Sequence, residues 1–381
     1  MGIQVSENTI RIRDIAGRGE SISYVKVSAE IPAAKPAVAR VLSVRSRPKI
    51  NDVSVEAGKI LFKGQLSIEV LYVPVNTGEL AADLVEKAEF KDVAQFEYFV
   101  EVKDAKASDE PIVRTFLQSV DYNLQKDRLL SFETTLRHEV LVYRVQKLKC
   151  LGDIIVTPPE RIKIDKRELL LEEYAGKLQK STSVSSNLAL PLGVLRLVDV
   201  TVKPVLKREL ADGTGITLLG SLDVTLLAVR ELGDTAVVQS ILLPGALAFE
   251  ERIEAPIGDN LLSRTNILVD YVSYARFESE LRLDIGLSFK SELTAPKRIS
   301  LIADAESVAG RRIIVRNGSL ALKRKVVSAP SKTIAETLLR FPEGLPEPAE
   351  MLIMQITPRV ERSEWAGETL YANGTCSLEL I

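Results

Sequence analysis

The chain has 381 residues, of which 46% are hydrophobic and 27% are charged, and its formal net charge is −2. This balance is typical of a folded chain and excludes a mainly disordered one. Lysine and arginine are spread along the sequence, so a nucleic-acid partner is not expected. The most apolar window, residues 187–202, is interrupted by Pro191, Gly193, Arg196 and Asp199, which argues against a transmembrane segment.

Three windows of the sequence share the same features in the same order, and they cover residues 47–73, 203–229 and 357–381. The resemblance extends upstream of each window. Because several features recur together, the sequence predicts an internal repeat. In each window a proline precedes a glycine by 16 positions, and these pairs are Pro48 and Gly64, Pro204 and Gly220, and Pro358 and Gly374.

Two intervening segments, residues 116–145 and 267–293, also resemble each other. If the three windows with their upstream flanks are called A and these segments B, the chain has the order A-B-A-B-A. The sequence therefore predicts two full repeats, at 1–147 and 148–294, and a C-terminal half repeat at 295–381. Whether one structural module is A followed by B, or B followed by A, stays open.

Apolar and polar residues alternate through most of the chain, as in GQLSIEVLYV (64–73) and ESELRLDIGLSF (278–289). A period of two residues predicts half-buried strands. We therefore predict an all-β fold of tandem β-sandwich or barrel-like repeats, with two full copies and a C-terminal half copy.

Glycine positions predict where the strands turn and bend. The segment ADGTGI (211–216) predicts a glycine-rich turn, and Asn373-Gly374 is a dipeptide of the hairpin type. The repeated glycines, Gly64, Gly220 and Gly374, also fall within long predicted strands. There a glycine predicts a bulge or a bend with a packing role.

The residues that most enzymes use for catalysis are scarce. His138 is the single histidine, and the alternating pattern around it predicts a solvated position on a strand. Cys150 and Cys376 are the two cysteines, which is too few for a zinc site or a disulfide framework. The sequence has no phosphate-binding loop and no Gly-x-Ser-x-Gly motif. We therefore predict a protein that is not an enzyme, with no catalytic residues, no metal and no cofactor.

Residues 27–73 resemble the SPOCS domain of sporulating Firmicutes. In that family a run of the form P…I..VL.V leads into I.DV.V..GKI...G.L...VLYV, and here KPAVARVLSV (35–44) leads into INDVSVEAGKILFKGQLSIEVLYV (50–73). The resemblance is to SipL-like proteins of spore-coat morphogenesis, in which SPOCS repeats precede a LysM domain; no segment here resembles LysM. It implies a structural protein linked to sporulation, located on the spore coat or on the spore or cell surface, with other spore-coat proteins as partners.

The third window ends where the first two continue into segment B. We therefore expect it to expose strand edges, which invite pairing with another chain. The hypothesis is a structural protein that self-assembles into a fibre, layer or oligomer through this incomplete module. The candidate interface residues are Trp365, Leu378, Leu380 and Ile381. Trp365 is included because the other two copies have the polar residues Glu56 and Asp212 at the corresponding hairpin tips.

A second hypothesis is an adaptor that docks another spore-coat protein or peptidoglycan, and it predicts a monomer with a partner site at Trp365. Residues 1–14 lack the basic start and apolar core of a secretory signal. This fits assembly in the cytoplasm of the mother cell, where coat proteins are made, and leaves export by another route open.

Overall fold

A computed structural model of the protein describes residues 2–75, 85–157, 162–233, 235–254, 261–307, 354–366 and 369–380. Within these ranges the chain forms fourteen strands and no helix, so the all-β prediction is confirmed. In chain order the strands are β1 (Gly2–Glu30), β2 (Val38–Glu56), β3 (Lys59–Pro74), β4 (Glu86–Glu101), β5 (Glu110–Lys126), β6 (Leu129–Thr157), β7 (Ile162–Ala189), β8 (Val194–Asp212), β9 (Gly215–Leu232), β10 (Thr235–Glu254), β11 (Leu262–Phe277), β12 (Glu280–Ser307), β13 (Met354–Ala366) and β14 (Thr369–Leu380).

The strands form antiparallel sheets whose order is repeated. The first six strands build the sheets β1-β6-β5 and β2-β3-β4, and the next six build β7-β12-β11 and β8-β9-β10 in the same arrangement. Strands β13 and β14 form a hairpin, here called the third hairpin. We call β1–β6 the first module and β7–β12 the second module.

Each module has its own hydrophobic core between its two sheets. The first core includes Phe62 and Leu66 of β3 and Leu136 of β6, and the second includes Leu218 and Leu287 of the corresponding strands. The first core therefore joins half A with the half B that follows it. The predicted domain division stays a prediction, and its internal boundaries, after residues 147 and 294, fall within the long strands β6 and β12.

The three hairpins built on the repeated proline and glycine share one register. Pro48 pairs with Leu66, Pro204 with Leu222, and Pro358 with Cys376. Opposite each repeated glycine the partner strand contains one extra residue, which is the geometry of a β-bulge. The predicted bulges are therefore confirmed, and their extra residues are Asn51, Lys207 and Glu361.

Two turn predictions had different outcomes. The predicted glycine-rich turn is confirmed, because β8 ends at Asp212 and β9 begins at Gly215. The hairpin-type interpretation of Asn373-Gly374 is wrong, because Gly374 lies within β14 opposite Val360. Pairing with β13 holds this dipeptide in an extended strand, so the long-range hydrogen bonds override the local turn preference.

Gly64 and Gly220 are required by close packing against an aromatic ring on the neighbouring strand. A Cβ atom at Gly64 would lie 2.4 Å from Phe96 Cζ and 2.6 Å from the Lys49 carbonyl oxygen. At Gly220 it would lie 2.2 Å from Phe249 Cζ and 2.6 Å from a backbone carbonyl. Because the backbone contacts cannot be relieved by a rotamer change, both positions exclude any larger residue.

We expect Gly64→Ala to destabilise the first module by about 1–3 kcal/mol, the usual cost of forcing a methyl group into a packed site. Native-state hydrogen exchange of the β3 amides measures this loss without requiring the whole chain to unfold in one step. The control is Ser54→Ala, which changes an exposed residue of the same hairpin. Equal protection of β3 in Gly64→Ala and Ser54→Ala would show that the close approach is not a constraint.

Candidate association surface on the third hairpin

His138 lies in the first core, so its predicted solvated position is wrong. Its ring is fully buried. The Nε2 atom is 2.7 Å from the Ser23 hydroxyl, and Nδ1 is 3.0 Å from the Thr115 hydroxyl. Three aromatic rings surround it with centroids between 4.7 and 6.0 Å away, and these belong to Phe62, Phe96 and Tyr98.

The equivalent position in the second module shows the structural role of the His138 side chain. His138 is the tenth residue of β6, and Phe289 is the tenth residue of β12. The Phe289 ring packs 5.8 Å from Phe249, as His138 packs 6.0 Å from Phe96. His138 therefore fills an aromatic core position, and the two hydroxyls satisfy its ring nitrogens. Burial lowers the pKa of His138 from its ordinary value of 6.5 to about 4, because the apolar surroundings disfavour the charged ring.

The two cysteines are free thiols, with Cys150 half-buried and Cys376 exposed. In the part of the chain that the structure describes, no three His, Cys, Asp or Glu residues are grouped so that they could hold a metal ion. None of the described residues belongs to a helix that could cross a membrane.

The structure places the backbone of three predicted interface residues on the third hairpin. Trp365 pairs with Leu370 near the turn, while Leu378 and Leu380 lie towards the other end of β14. The side chains of Trp365, Leu378 and Leu380 lie outside the described residues, as does all of Ile381. Their role in association stays a prediction.

The register corrects the comparison that singled out Trp365. Trp365 pairs with Leu370 as Val55 pairs with Ile60 and as Ala211 pairs with Ile216. Its counterparts are therefore the apolar residues Val55 and Ala211, each one position before the polar residue used in the sequence comparison. An apolar residue at this position is consequently a shared feature of the three hairpins.

Other apolar residues of the third hairpin are exposed where their counterparts are buried. Leu370 occupies the position of Ile60 and Ile216, which are both fully buried, yet its own exposed fraction is 52%. Val360 and Tyr371 are also exposed. Leu370 is not among the interface residues predicted from the sequence, which lie at the turn and at the end of β14. Its alignment with Ile60 could have marked it as a core-type position.

Strand β14 differs from the other edge strands in its regularity. It pairs with β13 in unbroken succession from Thr369 to Leu380. Every other edge strand of the described sheets contains at least one bulge, and bulges protect sheet edges from pairing with foreign strands. The extra residues include Ala16 in β1, Asn51 in β2, 91–93 in β4, Gln118 in β5, Ala175 in β7, Lys207 in β8, 244–246 in β10, Asp270 in β11 and Glu361 in β13.

These features of the described residues define a class of protein: tandem antiparallel β-modules with packed cores, together with a further hairpin whose strand β14 contains no bulge. Comparison with protein families gives the particular kind of module. Residues 37–125 match the family model for the SipL SPOCS domain, so the resemblance seen in the sequence is confirmed for this segment, which runs from the start of β2 to the end of β5. No curated protein and no solved structure matches the chain.

We expect the first module to lose stability as the pH falls from about 6.5 to about 4. The unfolded chain takes up a proton on His138 near pH 6.5, whereas the folded chain does so only near pH 4. The folded state is therefore favoured above pH 6.5, and protonation of the unfolded state removes up to about 3 kcal/mol across this window.

Because His138 is the only histidine, its NMR titration needs no assignment, and a midpoint near 6.5 would contradict the buried, neutral ring. Unfolding free energies of the parent chain and of His138→Phe measure the linked effect. At neutral pH the unfolding free energy of His138→Phe is lower than that of the parent chain, because the Ser23 and Thr115 hydroxyls lose a hydrogen-bond partner. The difference between the two proteins should nevertheless shrink as the pH falls through this window.

Proposed function

We propose that this chain is a non-enzymatic structural protein of the spore coat or spore surface, and that it self-associates by strand pairing at β14. The SPOCS match over residues 37–125 supports a role linked to the spore coat. The observation that carries the association is the unbroken strand β14, in a protein whose other described edge strands contain bulges. Other spore-coat proteins are the expected neighbours of such an assembly.

The register of the hairpins supports pairing at β14. Strands β3 and β9 hold the same position as β14, and each is paired on both sides. Among the described residues β14 pairs with β13 alone. A strand with one open side presents a row of backbone N–H and C=O groups that can add another strand.

We propose a second copy of this chain as the occupant of that edge. Of the twelve residues of β14, Glu379 is the only charged one. If two β14 strands pair antiparallel about their midpoint, the two Glu379 residues lie at opposite ends, so no like charges face each other. Such an arrangement is isologous and closes as a two-fold dimer.

The exposed side chains of the hairpin support the same occupant. Leu370, Tyr371 and Val360 present apolar surface, which pairing of two hairpins would remove from water. A stable interface buries roughly 1,200–2,000 Å² in total. The strand edge and the apolar side chains together are therefore needed for a long-lived dimer.

We expect Cys376→Pro to reduce the association. Pro358 pairs with Cys376, and a proline in an edge strand has its nitrogen facing away from its partner. By the same pairing geometry the Cys376 N–H faces the open side of β14, so a proline there removes one intermolecular donor and leaves the pairing with β13 in place. Mass in solution, measured by light scattering over a range of concentrations, should fall towards that of the monomer.

The matched control is Cys376→Ser, which keeps the N–H and should associate like the parent chain. Circular dichroism checks that all variants keep their strand content. A parent chain that is monomeric at every concentration, or a proline variant that associates as strongly as the parent, would contradict the proposal. A monomer that instead binds a purified coat protein or peptidoglycan would favour the adaptor hypothesis.

A further inference from the structure

Besides the contacts of the long strands β1 and β6 with β7 and β12, the two modules meet at a junction built from equivalent positions of each. A small apolar cluster, separate from the two cores, joins residues of both modules. The register identifies the equivalents, because Leu71 pairs with Ser43 and Lys87 while Leu227 pairs with Asp199 and Ser240. A patch that meets its own counterpart is isologous, as in a two-fold dimer. The matched residues of the junction are Leu42 and Val198, Leu71 and Leu227, and Val85 and Val238.

Bulges place two of these residues in the junction. Leu42 is the extra residue of the bulge between Val41 and Ser43, and Val198 is the extra residue of the corresponding bulge in β8. A bulge re-aims the side chain of its extra residue. The same local irregularity therefore builds the contact surface in both modules.

Charged residues break the symmetry of the junction. Lys87 of the first module lies 2.6 Å from Asp199 of the second, and 3.2 Å from Glu69 of its own module. The side chains are largely buried, with exposed fractions of 17% for Lys87, 7% for Asp199 and 6% for Glu69. Burial acts to lower the pKa of Lys87, but the two carboxylates outweigh it and hold that pKa above its usual value.

A second pair crosses the junction beside the first. The Arg196 guanidinium of the second module contacts the Glu86 carboxylate, and its Nη2 donates a hydrogen bond of 2.7 Å to the Val85 carbonyl oxygen. The charged residues that contact each other across the junction are therefore Lys87 and Glu86 of β4, and Asp199 and Arg196 of β8.

Three of these four charges have neutral counterparts, while Arg196 corresponds to another arginine, Arg40. Lys87 corresponds to Ser240, and Glu86 corresponds to Gln239. Asp199 corresponds to Ser43. If two first modules paired through this patch, Lys87 would face serine across the junction, and if two second modules paired, Asp199 would face serine.

We infer that Lys87 and Asp199 make the junction selective, so that the first module accepts the second module and rejects its own counterpart from another copy of the chain. The apolar part of the patch is alike in both modules and would suit either partner. In a pair of second modules Asp199 would lose Lys87, and in a pair of first modules Lys87 would keep Glu69 alone. A buried charge that loses an opposite charge is strongly unfavourable, so these two residues decide between the partners. This selectivity is independent of the association at β14.

Charge reversal in the full chain tests the pairing. In Asp199→Lys two ammonium groups face each other, and amide hydrogen exchange in β4 and β8 at the junction should accelerate on the order of a hundredfold. The double variant Lys87→Glu/Asp199→Lys restores the opposite charges, and it is made together with Glu69→Gln so that no second carboxylate faces position 87. At least about tenfold of the lost protection should return. The control is Glu133→Lys, which reverses an exposed charge 2.6 Å from Lys26 and should leave the junction unchanged.

A neutral junction tests the selectivity. In Lys87→Ser/Asp199→Ser both modules carry serine at these two positions, so copies refolded together at high concentration should form dimers that native mass spectrometry detects. Cys376→Pro is included in all chains, so that pairing at β14 does not contribute. A double reversal no better than Asp199→Lys alone, or a neutral variant as monomeric as its charged parent, would overturn the inference without affecting the proposal for β14.

Discussion

The need to satisfy every backbone N–H and C=O group is the constraint on which this structure depends. In an all-β chain these groups find partners only across neighbouring strands, so each central strand must be paired on both sides. Strands β3, β6, β9 and β12 meet this condition. Among the described residues the outer strands are paired on one side, and all of them except β14 contain bulges that interrupt the regular row of donors and acceptors.

The bulges have a second consequence, because an extra residue changes the direction of a side chain as well as the pairing. At Leu42 and Val198 the extra residue supplies apolar surface to the contact between the modules. At Asn51 and Lys207 it lies beside the repeated glycine, where the strands come close enough for an aromatic ring to cover the backbone. The extra residues of the bulges therefore act in three ways: they interrupt the sheet edges, they contribute to the contact between the modules, and they lie beside the closely packed glycines.

Much of the fold could be predicted from local pattern, and the errors have physical causes. The spacing of proline and glycine identified the repeated hairpins because proline fixes the backbone and removes a donor, whereas glycine permits a close approach that no larger residue allows. The error at His138 concerned which side of a strand is buried. Leu136 and Val140, two residues before and after it, are core residues. Side chains two positions apart lie on the same face of a strand, so His138 must point into the core, although its polarity favoured a solvated position. The junction was not predictable, because its residues become equivalent only once the register is known.

With the association proposed at β14, the selectivity inferred for Lys87 and Asp199 would give the protein two surfaces with different tasks. An isologous patch between the first two modules is used up when they pack together, so it adds no further copies. If that patch were equally suited to other chains, association would occur at two places, and the resulting arrangements would be mixed. A charged junction that favours the neighbouring module of the same chain keeps the modules of one molecule together. Association between molecules can then be confined to a strand such as β14, where the backbone itself provides the contact.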